Sequence, residues 1–160
     1  MSTGQQDDHR QHDHPHHQDR DAAGHDLGLT HVALCVTDLD QSLEFYATFA
    51  DMEVVHRRTG HDGVEVAWIS DRTRPFVVVL IEHEDPHRLG GWSHLGVGVR
   101  SRAAVDAAAD RARSEGRPTY GPTDSGPPVG YYVVVEDPDG HQLELAFGQD
   151  VGLTVDGSTG

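Results

Sequence analysis

At 160 residues the chain has material for one domain, and its formal charge of −15 excludes surfaces that track phosphate, so nucleic acid and anionic membranes are not expected partners. All twelve basic residues are Arg, which removes Schiff-base chemistry, a P-loop and any Lys general base. Cys35 is the only cysteine and no apolar run reaches the ~18 residues of a membrane span, so a soluble cytoplasmic protein with no internal disulfide is expected.

Residues 1–26 hold six His and six Asp with hardly any apolar side chains, and are expected to be a disordered tail. Residues 151–160, mostly Gly, Ser, Thr and Val, read as a flexible C-terminal tail, which leaves 27–150 as the foldable part. Residues 29–36 alternate as a half-buried strand, with His31, Ala33 and Cys35 on one face. Asp38, with Gln41 three residues on, reads as an N-cap for a helix reaching about Ala50. Strands are expected at 52–58, 64–70 and 76–81, followed by a polar crossover at 82–91.

The order then begins again. His94 opens a strand to 99, and Ser101 caps an Ala-rich helix over 103–115 that Gly116 ends. A short strand at 118–120, a Gly/Pro-rich loop at 121–130, and strands at 131–135 and 141–147 complete the copy. His31 to His94 and Val36 to Val99 both give a period near 63 residues. The two modules are thus 27–84 and 92–148, and the fold class is α+β.

His31 and His94 occupy equivalent positions of this repeat. Glu144 sits between Leu143 and Leu145 in an apolar strand, where an unpaired carboxylate costs several kcal/mol. Two imidazoles and a carboxylate form a common set for Fe(II), Mn, Ni or Zn, so His31, His94 and Glu144 are the candidate ligands of one divalent ion. Asp137 and Asp139 belong to an Asp-Pro-Asp-Gly turn and are assigned to turn chemistry. His141 is assigned to the surface or the surroundings of the site, and Trp68, Phe76 and Phe147 to the core. Tyr132 is the candidate acid–base or orienting residue.

The pattern Leu-Thr-His-Val-Ala-Leu-x-Val-x-Asp-Leu-x-x-Ser-Leu-x-Phe-Tyr at 29–46 and Glu-Asp-Pro-Asp-Gly-His-x-Leu-Glu at 136–144 resembles the vicinal oxygen chelate superfamily. That superfamily includes glyoxalase I, extradiol dioxygenases, fosfomycin-resistance transferases and bleomycin-resistance proteins. The resemblance implies two βαβββ modules closing a cup-shaped sheet around a metal, and frequent homodimers. It implies His31 and His94 at the heads of the modules and Glu144 on the last strand. Glyoxalase I carries a fourth ligand on the last strand of the first module, where this chain has Val79. Residues 121–135 lack the His expected near an extradiol site, and fosfomycin enzymes carry a Thr where this chain has Ala33.

These residues imply a metal-dependent enzyme, dioxygenase-like or glyoxalase/lyase-like, whose small substrate chelates the ion through adjacent oxygens. The alternative is a non-catalytic drug- or metabolite-binding protein of the bleomycin-resistance kind. The sequence leaves open whether His31 joins His94 and Glu144 from its own chain or from a partner's.

Overall fold

The computed structural model describes residues 29–150, so the expectations for the two tails lie outside the described residues. The first half runs β1 (His31–Val36), α1 (Leu39–Ala50), β2 (Glu53–Thr59), β3 (Glu65–Ser70) and β4 (Val77–Glu82). The second repeats the order with β5 (His94–Gly98), α2 (Arg102–Ser114), β6 (Thr119–Asp124), β7 (Tyr131–Glu136) and β8 (Gln142–Phe147). Each half forms its own four-stranded sheet, in the orders β1-β4-β3-β2 and β5-β8-β7-β6. In both, the first strand pairs in parallel with the last and the other neighbours are antiparallel. The registers match as well: His31 pairs with Val77 and His94 with Gln142. Two βαβββ modules are therefore present, and no helix among the described residues is long and apolar enough to cross a membrane.

Local chemistry explains the helix boundaries. Asp38 is extended, and its carboxylate accepts from the Gln41 backbone N–H at 2.9 Å; the Gln41 side chain donates back to the same carboxylate at 2.9 Å. Ser101 caps α2 by accepting from the Ala104 N–H at 3.2 Å. At the other end of α2, Gly116 adopts φ +71, with Gly116 N–H donating to Arg113 O and Arg117 N–H to Ala112 O, a Schellman closure. The buried stripe of α1 comprises Leu39, Ser42, Phe45, Tyr46, Phe49 and Ala50. On α2 the buried positions are the small residues Val105, Ala109 and Ala112. These faces join Leu34, Val36, Ile69, Leu80, Val133, Val135, Leu143 and Leu145 in one core shared by both modules.

Two expectations about β6 and the aromatics are corrected. β6 does not stop at Tyr120 but continues through Gly121-Pro122 to Asp124, with the register shifting between Tyr120 and Thr123. An edge strand tolerates proline because the missing N–H faces no neighbour, and a bulge absorbs the irregularity. Trp68, Phe76 and Phe147 are not core residues: Trp68 and Phe76 are half-buried and Phe147 is 37% exposed. The core aromatics are instead Phe45, Tyr46 and Phe49, stacked along α1.

The Asp137-Pro-Asp-Gly140 turn does more than reverse the chain. Asp139 accepts from the Thr37 N–H at 3.0 Å and from its hydroxyl at 2.6 Å, while Tyr46 donates its hydroxyl to Asp137 at 3.0 Å. Asp137 also accepts from the backbone N–H groups of Asp139 and His141. His141, expected near the surface, is 1% exposed; its Nε2 donates to Cys35 O at 2.9 Å, and its Nδ1 accepts from the Leu89 N–H. The turn of the second module is thereby clamped to the β1–α1 junction of the first.

Gly130, between the end of the β6–β7 connection and β7, carries the tightest backbone constraint. It has φ +85, and an added Cβ would press on Phe147 O and lie 2.9 Å from Gln149 N. Gly130→Ala is expected to cost at least about 2 kcal/mol, since neither the left-handed backbone nor the neighbouring main chain can yield cheaply. Thermal unfolding should report this as a Tm lowered by about 5 °C or more.

Candidate metal centre

His94 opens β5, an edge strand whose alternate residues His94, Gly96 and Gly98 are exposed. Register places Glu144 on the same face, since Gly96 pairs with Glu144 and His94 with Gln142. Glu144 is 6% exposed, and its Oε2 lies 3.6 Å from His94 Nε2. That distance exceeds a direct N–H···O bond. Its Oε1 accepts from the Gln149 side chain at 3.2 Å.

The other His94 nitrogen fixes the tautomer. Nδ1 lies 2.7 Å from Trp92 O, and a carbonyl can only accept, so Nδ1 carries a hydrogen. In the neutral ring Nε2 then presents a lone pair toward a buried carboxylate oxygen, an arrangement that needs a cation or a second proton between them. A carbonyl holding the far nitrogen of an imidazole is also the usual way a metal-binding His is oriented. Beside the pair, the Gln142 side-chain oxygen is buried with no hydrogen-bond partner among the described residues. His94 and Glu144 are thus two donors of the kinds that a divalent ion takes.

Two of the three candidate ligands are brought together, and the third is not. His31 stands exposed at the head of β1 in the other sheet, its Nδ1 3.0 Å from the Thr30 hydroxyl. Among the described residues no group of three His, Cys, Asp or Glu side chains is placed to hold a metal within the chain. Tyr132 pairs with Ala146 and so shares the Glu144 face, with its ring 6.4 Å from that of Tyr120. In the first sheet Ala33 pairs with Val79, as Gly96 does with Glu144, so Val79 occupies the position equivalent to Glu144. Across that face Val79 is followed by Trp68 and His56.

The Arg residues near the strand ends have separate partners. Arg57 bridges Asp40 at 2.8 Å and Glu65 at 3.1 Å, and Arg72 pairs with Glu53 at 2.9 Å. Arg58 instead sits over Trp68, 5.4 Å from the ring centre. A cleft of about 600 Å³ between the modules, lined by Phe49, Arg74, Val99 and Arg100 among others, includes neither His94 nor Glu144.

Reading the sequence alone misses Trp92, Gln142 and Gln149. Gln142 could have been found by its parity with Glu144. Trp92 acts through its carbonyl, and Gln149 reaches back from beyond the end of β8; neither contact leaves a trace in periodicity.

A family model of the Glyoxalase/Bleomycin resistance protein/Dioxygenase superfamily matches residues 28–145. An uncharacterised protein of Pseudomonas aeruginosa is 41% identical over 128 residues, covering 78% of this chain and 91% of that protein. A probable lactoylglutathione lyase of Synechocystis is 29% identical, covering 73% of this chain and 92% of the relative. Among solved structures, the fosfomycin resistance protein FosX of Listeria monocytogenes, complexed with Mn(II) and dihydroxypropylphosphonic acid, superposes with a TM-score of 0.63 at 19% identity, covering 81% of this chain and 98% of that one.

Proposed function

The chain belongs to the Glyoxalase/Bleomycin resistance protein/Dioxygenase superfamily, and within it we propose a metal-dependent enzyme whose small substrate is held through two adjacent oxygens at His94, Glu144 and a His31. The observation that carries this reading is the His94–Glu144 pair: an imidazole nitrogen 3.6 Å from a buried carboxylate oxygen, with the imidazole held from behind by Trp92 O. The exposure of His31 on a different sheet favours a homodimer in which the partner's His31 completes the set. A cytoplasmic setting accords with the lone Cys35.

A divalent ion bound there would supply Lewis-acid polarisation of the substrate oxygens. The protein's own part is orientation and proton handling. Trp92 O fixes His94, Gln149 fixes Glu144, and the Tyr132 phenol on the same face is the group proposed to give or take a proton at a substrate oxygen. Val79 at the position equivalent to Glu144 supplies neither ligand nor base, which weighs against a glyoxalase I mechanism needing a base on that side. The lyase relative keeps lyase chemistry beside oxygen chemistry, and the Mn(II) held by the FosX neighbour makes Mn(II) the first ion to try.

The test is metal stoichiometry in variants that keep the His-rich residues 1–26, so that differences report the site alone. His94→Ala should lose one ion per chain relative to the parent. A mixture of His31→Ala and His94→Ala chains should regain one intact site per mixed dimer, because one of its two composite sites keeps both histidines. No regain would place all three ligands in one chain. No ion lost in either variant, even with metal in excess, would overturn the enzyme reading in favour of a ligand-binding protein.

A further inference from the structure

Trp92 is 73% exposed and Tyr120 51%, although both are large rings that proteins normally cover. Tyr120 pairs with Val134, and Val134 with Glu144, so the Tyr120 side chain shares the face of Glu144. Tyr132 shares it as well. The Trp92 ring meets that of Tyr120 edge-on, at 5.9 Å and 79°, and Tyr120 lies 6.4 Å from Tyr132.

Strands β5 and β6 are the two outer edges of their sheet, three interstrand steps or about 14 Å apart. An indole that precedes β5 yet meets a phenol rooted on β6 must cross the sheet on the face that carries Glu144. The same residue holds His94 Nδ1 through its carbonyl at 2.7 Å. The floor beside it is bare: Gly96, the pairing partner of Glu144, and Gly98 have nothing within 4 Å of where a Cβ would stand. Open aromatic rings beside the bare backbone of Gly96 and Gly98 suit a flat molecule, which presents its whole π-face to offset or edge-on contact.

We infer that Trp92, with Tyr120 and Tyr132, forms the π-wall of the substrate site and selects planar, conjugated molecules carrying two adjacent oxygens over saturated ones. The oxygen half of this statement rests on the proposed metal site; the planar half rests on the rings alone. Trp92 is a specificity residue here, and its backbone role toward His94 survives any side-chain substitution.

The test uses the full chain with and without Mn(II), and two probes: nitrocatechol, planar with adjacent oxygens, and glycolate, which offers adjacent oxygens without an aromatic ring. Calorimetry on the parent, Trp92→Phe and Trp92→Ala gives affinities. A Trp68→Phe background leaves Trp92 as the sole indole, so its fluorescence reports contact directly.

Trp92→Ala is expected to weaken nitrocatechol about tenfold and to leave glycolate and Mn(II) within about twofold, Trp92→Phe falling between. Quenching of Trp92 fluorescence by nitrocatechol should saturate with the same affinity. Equal loss for both probes would overturn the inference, as would nitrocatechol failing to bind. A dimer that dissociates on Trp92→Ala, read by sedimentation, would also overturn it by making the ring a subunit contact. If Mn(II) does not bind but nitrocatechol still binds in a Trp92-dependent way, the metal reading falls and the π-wall stands.

Discussion

Glu144→Gln is expected to abolish the rise in Tm that Mn(II) gives the parent protein, while leaving the metal-free variant as stable as the parent or more so. The substitution is isosteric and keeps an oxygen for Gln149, but it replaces an anionic ligand with a neutral amide. Loss of partners that merely orient metal ligands already costs about 10–100-fold in affinity, and loss of the carboxylate itself should exceed that. At a concentration 100 times Kd, a bound ion stabilises the parent by about 2.7 kcal/mol, and the variant should show none of it. Metal-free, Glu144 is a buried carboxyl with no direct hydrogen bond to His94, so replacing it with an amide breaks no bond to that ring. The opposite pattern, a destabilised variant and a parent indifferent to Mn(II), would mean that His94 and Glu144 form an ordinary ion pair, and the metal reading would fail. Differential scanning calorimetry of both proteins, with and without Mn(II), decides between them.

What the sequence made legible was whatever is encoded within a few residues. The Asp38 and Ser101 caps, the Gly116 stop and the Asp-Pro-Asp-Gly turn are local, and each stands where the residues imply. The repeat extended this to topology, since two copies of one strand order fold into two sheets of one order. Parity put Tyr132 and Glu144 on one face because a strand allows only two. The failures occur where distant segments decide. His141 reads as a surface His beside a turn, and only its docking onto Cys35 O makes it a core residue. Trp68 reads as core by size, but its face of the first sheet is left open in this chain. His31 and His94 are equivalent in the repeat, which fixes the strand and face of each but not which sheet faces which. Equivalence in sequence was not proximity in space.

The clamp between the modules yields the other large effect, and its sign depends on pH. Burial raises the Asp137 carboxyl above its ordinary range, partly opposed by the His141 N–H, the His141 ring and the Tyr46 hydroxyl. Burial and the nearby Asp137 in turn push the Tyr46 phenol far up, so it remains a donor throughout the working range. A carboxyl raised on folding contributes stability fully present below its unfolded pKa and lost as pH rises through the folded value. Half-buried Glu65 and exposed Glu115 and Asp124, lowered chiefly by hydrogen bonds from Thr59, Arg117 and Arg102 respectively, contribute stability that is lost as pH falls. The whole-protein profile therefore mixes opposite slopes, and a difference between variants isolates the clamp. Tyr46→Phe removes the only side-chain donor to Asp137 among the described residues and leaves a buried carboxylate oxygen short of a partner, at a cost of about 1–3 kcal/mol. That cost should grow as pH rises and Asp137 loses its proton, because in acid a proton on Asp137 can replace part of the bond. In an Asp137→Asn background the cost of Tyr46→Phe should be the same at every pH. Because the clamp ties the end of β1 to the turn that feeds β8, Tyr46→Phe should also weaken Mn(II) binding without touching a proposed ligand. Equal destabilisation by Tyr46→Phe at every pH in the parent would show that Asp137 keeps one protonation state in the fold throughout.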